Sequence, residues 1–237
     1  MRVEGRLSLR ERYIYIGIGL PIGLLVVFWA ISKSSTGGVA GTGLTVLDLW
    51  IPTSLVVGYI SLAMLSLPAT FARYREIGWL RRISTTPAPP SMLLAAQMVL
   101  NVIVAGVVTV IVVVAGAILF GAPLRVGPEF VGVVILTIAE LYSLGLIVAA
   151  IAPTQQAASY IAGGLFFPLL FLSGLWIQPV QVGGVLEQIM WYSPAGAPVR
   201  ALLYSIFNTT PPYGTIVAMV VYTVIFAAVA VRFFRWE

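Results

Sequence analysis

Residues 102–117 contain no charged side chain and no alternation of polar with apolar residues. This run lies in one of six apolar stretches, at about 13–32, 47–70, 92–120, 130–151, 157–177 and 213–231. Each is long enough to cross a hydrocarbon core of about 30 Å, which takes roughly 20 helical residues. Lipid offers no partner to a free backbone N–H or C=O, so each stretch is predicted to be a helix. A membrane barrel would need strands of about 10 residues with alternating polarity, and 102–117 does not supply them. Hydrophobic residues make up 60% of the chain and charged residues only 9%, against about a quarter charged in soluble domains. The expectation is an all-α, polytopic membrane protein with six spans in a single domain, 1–237.

The same composition removes whole classes of chemistry. There is no Cys and no His. Disulfides, thiolate metal sites and the usual general base, zinc ligand and haem ligand are therefore excluded. A phosphate-cradling loop of the form G-x-x-x-x-G-K-[ST] needs a lysine. The one lysine, Lys33, follows Ile31-Ser32, which is not that pattern. A serine protease would need a base beside Ser173, and the single acid Glu140 makes no carboxylate dyad. No metal and no resident cofactor are expected. The first apolar run has no small-residue cleavage motif and is long enough to span, so no cleavable signal peptide is expected.

Arginine placement predicts orientation. Arg2, Arg6, Arg10 and Arg12 precede span one, Arg73, Arg75, Arg81 and Arg82 lie between spans two and three, and Arg232 and Arg235 follow span six. With six spans all three groups share one side, and only Lys33, Arg125 and Arg200 lie opposite. Basic residues favour the cytoplasmic side, so both termini are predicted there. The net charge of +5 follows from this bias, and no nucleic-acid partner is implied. Tyr13, Tyr15, Trp29, Trp50, Trp191, Tyr192 and Trp236 fall near the predicted interfaces, where amphipathic rings prefer to sit.

Between spans two and three, Phe71, Tyr74, Ile77, Leu80 and Ile83 recur at helical spacing. Thr86-Pro87 and Pro89-Pro90 stop the helix. The expected product is an amphipathic helix at about 71–86, apolar towards lipid and bundle, charged towards water or a partner. Charge alone would fit any positive-inside loop. The order Arg75-Glu76-x-Gly78-x-Leu80-x-x-Ile83-x-x-Thr86-Pro87 is more specific. It resembles the loop of permeases in the type-2 ATP-binding-cassette exporter family, with Ile83 in place of a second Leu. The resemblance implies that Arg75, Glu76, Gly78, Leu80, Arg81, Arg82 and Ile83 couple to an ATPase.

A second stretch, Phe171-Leu-Ser-Gly-Leu-Trp-Ile-Gln-Pro179, closes span five. Pro168 should interrupt this helix, Ser173-Gly174 should admit a close neighbour, and Gln178-Pro179 should end it. Residues 178–212 are too short for another pair of spans and are broken by Gly and Pro. They are read either as short helices dipping into the outer leaflet under protein cover or as a plain outer loop. The exporter family is similar here, and the resemblance favours a re-entrant segment near the exit of the transport path. Ser173, Gly174, Trp176, Gln178 and Pro179 are the path candidates of this stretch.

Glu140 lies mid-span in the fourth stretch, where a charge costs on the order of 3 kcal/mol or more. It is either a substrate or cation contact in the path or a protonated or hydrogen-bonded packing residue. Asn101 is expected to bond between helices rather than to a ligand, Gln155 and Gln156 to mark an interface, and Tyr59 and Tyr142 to pack as aromatics rather than line an amphiphile path.

The resemblance implies a membrane-spanning permease with a separate ATP-binding subunit, a second permease chain and ATP with Mg on the partner. The cargo would be a hydrophobic or amphipathic compound (drug, antibiotic or lipid) leaving the cytoplasm or inner leaflet of the cell membrane. The alternatives are an ion-coupled secondary transporter and a non-transporting assembly subunit. The former usually shows several intramembrane charges and paired broken helices, which are not found here.

Overall fold

The computed structural model describes residues 12–32, 46–76, 90–120, 126–206 and 210–233. These residues fold into helices joined by short turns, with no strand among them. In order they are α1 (Arg12–Ser32), α2 (Val46–Ser61), a π-helical turn (Leu62–Ser66), α3 (Leu67–Glu76), α4 (Pro90–Phe120), α5 (Pro128–Ile151), α6 (Gln155–Leu172), α7 (Pro179–Val182), α8 (Gly184–Tyr192), α9 (Gly196–Ile206) and α10 (Tyr213–Phe233). The α2–π–α3 run is span two. Spans one, three, four, five and six are α1, α4, α5, α6 and α10.

Five stretches among the described residues are long and apolar enough to cross a membrane: Leu49–Tyr74, Ala95–Leu119, Pro128–Ile151, Gln155–Leu172 and Tyr213–Phe233. In α1, itself 21 residues long, the described apolar stretch is the shorter Gly19–Ala30. All six expected spans are thus helices close to their predicted bounds.

Span two is the hub. It packs against α1, α4, α5, α6 and α9. Its apolar window is 94% buried within the chain, whereas those of α4 and α10 are 22% and 17% buried. Lipid tails are as apolar as leucine, so close fit and hydrogen bonds hold such helices together. Two glycines provide the fit. A Cβ on Gly145 of α5 would collide with the carbonyl of Ala63 in the π-turn. A Cβ on Gly58 of α2 would stand 3.1 Å from both Pro21 of α1 and Val108 of α4. The π-turn itself has a local cause. Pro68 donates no hydrogen bond and its ring crowds the preceding turn. The helix widens just before it, and Leu67 N–H reaches Leu62 C=O five residues back.

Two expectations about span five change. Pro168 lies inside α6, and the helix continues through it to Leu172. A proline deletes only one helical donor, a loss that membrane helices tolerate. The helix then stops at Gly174 and not at Gln178-Pro179. Gly174 has φ +82, a left-handed conformation that glycine adopts without cost. Leu175 N–H bonds to Leu170 C=O at 3.3 Å and Gly174 N–H to Phe171 C=O at 3.1 Å, the paired bonds of a Schellman cap.

Beyond the cap, 178–206 forms short helices. Ser193 Oγ donates to Met190 C=O at 2.7 Å and accepts Gly196 N–H at 3.0 Å, which starts α9. Most of α9 is buried, against α2, α5, α8 and α10. Its first residue, Gly196, lies so near the carbonyls of Met190 and Leu172 that a Cβ has no room.

Candidate functional site

Two regions carry the candidate residues, and α6 joins them. The first is where α3 ends and α6 begins. Phe71 to Glu76 prolongs span two as the last part of α3. Phe71 and Ala72 are buried, Tyr74 is half-buried, and Arg73 and Glu76 are exposed. Of the expected apolar stripe, only Phe71 and Tyr74 fall among the described residues. Arg75 lies within α3, but its side chain is outside the described structure. Gly78, Leu80, Arg81, Arg82 and Ile83, and with them the rest of the expected helix to 86, lie outside the described residues.

Glu76 Oε2 accepts Gln155 N–H at 3.0 Å. Gln155 is the first residue of α6, and its predecessor Thr154 caps the helix by accepting Ala157 N–H on Oγ1 at 3.1 Å. Just inside, Ala72 of α3, Ala152 of the turn and Ala158 of α6 form a separate buried cluster against Ile161. Gln155 thus meets Glu76 through its backbone. A sequence signal for this existed. Pro153-Thr154 ahead of an apolar run marks a helix start, and a helix start attracts a carboxylate.

The second region surrounds the far end of α6. Ser173 is fully buried and donates its hydroxyl to Leu170 C=O at 2.8 Å. Gly174 and Pro179 are buried in close contact, since a Cβ on Gly174 would stand 2.8 Å from the Pro179 ring. Gln178 is buried, and neither its amide oxygen nor its nitrogen has a hydrogen-bond partner among the described residues. Trp176 is different, with 63% of its surface exposed. Nearby, Trp191 donates its indole N–H to Glu187 at 3.2 Å. The Arg200 guanidinium lies 5.7 Å and 5.5 Å from the Trp191 and Tyr192 ring centres, within cation–π range.

Glu140 is on α5, fully buried, and neither carboxyl oxygen has a hydrogen-bond partner among the described residues. The other polar groups in the spans are mostly satisfied. The Thr109 hydroxyl donates to Ala105 C=O at 2.8 Å, so Tyr59 is the donor in its 2.6 Å bond to Thr109. The Tyr142 hydroxyl donates to the backbone carbonyl of Asn101 at 2.9 Å. The Asn101 amide bonds along its own helix to Gln97 C=O at 3.0 Å. Asn101 thus joins two spans, but by its main chain. The two tyrosines both pack and cross-link. Gly145 has no local signature, because what it meets is the backbone of Ala63, remote in sequence.

A family model described as ABC-2 type transporter matches residues 5–207. No curated protein matches the chain.

Proposed function

The chain belongs to the ABC-2 type transporter family, and from that premise we propose that it exports a hydrophobic or amphipathic compound across the cell membrane. Membership makes it the membrane permease subunit of an ATP-binding-cassette transporter, with ATP hydrolysis carried by a partner. Both termini face the cytoplasm, and 71–86, with Arg75, Glu76, Gly78, Leu80, Arg81, Arg82 and Ile83, meets the ATPase there. A second permease chain completes the path along span five. Glu140 of span four and Ser173, Gly174, Trp176, Gln178 and Pro179 at the end of span five are the candidate path residues.

One observation carries this reading. Span five has the lowest mean hydropathy of the five spans, yet only 28% of its window is buried within the chain. Its uncovered residues include Gln156, Ser159, Tyr160 and Gly164 beside Leu165, Phe167 and Phe171. Polar and small side chains gain little from lipid and suit either a neighbouring helix or an amphiphile's path. A secondary transporter has no comparable support among the described residues, where Glu140 is a solitary internal acid.

The test uses the chain purified with its ATP-hydrolysing partner and reconstituted into vesicles. ATP-dependent movement of an amphipathic fluorescent dye from the nucleotide side to the other is expected. Movement of the dye at the same rate without nucleotide would sink the reading. The chain has no native Cys, so a Tyr160→Cys variant reports on the second copy alone. Oxidation should give a covalent permease dimer, and a monomer under all conditions would remove span five from the interface.

A further inference from the structure

The Glu76–Gln155 hydrogen bond spans 79 positions and fastens two elements that the sequence keeps apart. The first-turn N–H groups of a helix have no partner inside it. In α6, Thr154 takes one of these donors, from Ala157, and Glu76 takes another, from Gln155. A carboxylate is favoured at this end by the helix dipole as well. Beneath the bond, Ala72, Ala152 and Ala158 bury one another, and side chains this small let the two backbones approach. The joint therefore has an electrostatic latch over a close-packed seat.

We infer that Glu76 is a positioning residue, which makes the last turn of span two and the first turn of span five move as one body. The inference rests on the reading that 71–86 meets the ATPase. A displacement of that segment then enters α6 directly through the latch. α6 is 18 residues long, about 27 Å at 1.5 Å per residue. Its far end is the Gly174 cap next to the exposed Trp176. Span five is thus a rod, driven at the Glu76 end and read out at the Trp176 end. Within that contact segment, Glu76 is the residue that holds Gln155.

The experiment uses the purified complex of this chain with its ATPase partner. Hydrogen exchange of the 155–157 amides is followed first. Glu76→Ala should speed it about fivefold, the worth of one charge-assisted hydrogen bond at a solvated site, and Glu76→Gln, which keeps an acceptor oxygen, should largely restore the slow rate. Unchanged exchange in Glu76→Ala overturns the latch.

The second readout is motion. Ile118 and Ile177 are exposed and take spin labels as the only cysteines of an Ile118→Cys/Ile177→Cys chain. ATP with vanadate should change their separation in the parent, less in Glu76→Ala, and again fully in Glu76→Gln. An undiminished change in Glu76→Ala overturns the transmission. In a third chain, oxidation of Ala72→Cys/Ala158→Cys should lock the seat and leave ATP-driven turnover intact. Arrest by that lock shows that the two helices must separate, and it also overturns the inference. The underlying reading fails separately. If Arg81→Glu/Arg82→Glu still binds the ATPase and turns over ATP like the parent, 71–86 is not the contact, whatever the exchange data show.

Discussion

Spans two and three are both apolar helices, yet they meet different solvents. Span three is the more apolar of the two and is mostly uncovered, while span two is 94% buried within the chain. Span two carries Thr53, Ser54, Tyr59, Ser61 and Ser66 in buried positions. Span three exposes Val102, Ile103, Val107, Val110, Val114 and Ile118 along its length. Hydropathy here marks the helix that faces lipid, and modest polarity marks the helix that other helices surround. The reason is physical. Lipid rewards uniform apolarity, whereas helices bind one another through small residues and hydrogen bonds.

The largest effect should come from filling the seat of span two. Gly145→Ala puts a methyl group against the backbone carbonyl of Ala63, which has no rotamer by which to yield. A loss of about 1–3 kcal/mol is expected, as for other overpacked interiors. Gly106 on span three has nothing within 4 Å of the same added atom, so Gly106→Ala should leave thermal unfolding in detergent unchanged or raise it slightly. Equal melting shifts in the two variants would erase the contrast between the spans.

This contrast also marks where the sequence stops being legible. Six spans were readable because hydrocarbon thickness and backbone satisfaction leave no other solution for such runs. The turn chemistry was partly readable. Gly174 ends span five as a glycine in that position can, but the choice between Gly174 and Pro179 depended on bonds from Leu175 and Gly174 back to the helix. The lateral order was not readable. Which span lies at the centre is decided by Gly145 meeting Ala63 and by Gly58 meeting Pro21 and Val108, pairs with no local signature. The same holds for Glu76. The motif around it pointed to a partner protein, while the hydrogen bond it makes is to Gln155 of its own chain.

A smaller effect tests how the hub is tied to its lipid-facing neighbour. Tyr59 of span two bonds to Thr109 of span three at 2.6 Å. Tyr59→Phe keeps the ring and removes the donor. Hydrogen bonds between spans average about 0.6 kcal/mol, so the midpoint of unfolding should fall modestly. Thr109→Val should produce a similar loss, and the double variant should lose no more than either single one. Additive losses would mean that the two hydroxyls act through other partners.

The smallest effect has the opposite sign to ordinary intuition. Ser54 sits in the most buried helix, yet its hydroxyl has no hydrogen-bond partner among the described residues. Its neighbour Thr53 donates to Leu49 C=O at 2.8 Å. An unpaired buried hydroxyl costs desolvation with no bond in return, so removing it should be neutral or stabilising by a few tenths of a kcal/mol. Ser54→Ala is therefore expected to melt at or slightly above the parent, and Thr53→Val, which loses a satisfied bond, at or slightly below it. If Ser54→Ala instead lowers ATP-driven transport without lowering the melting point, the hydroxyl serves the moving protein rather than the resting one. Span two would then be more than a packed axle, because one of its polar side chains would have a partner only during turnover.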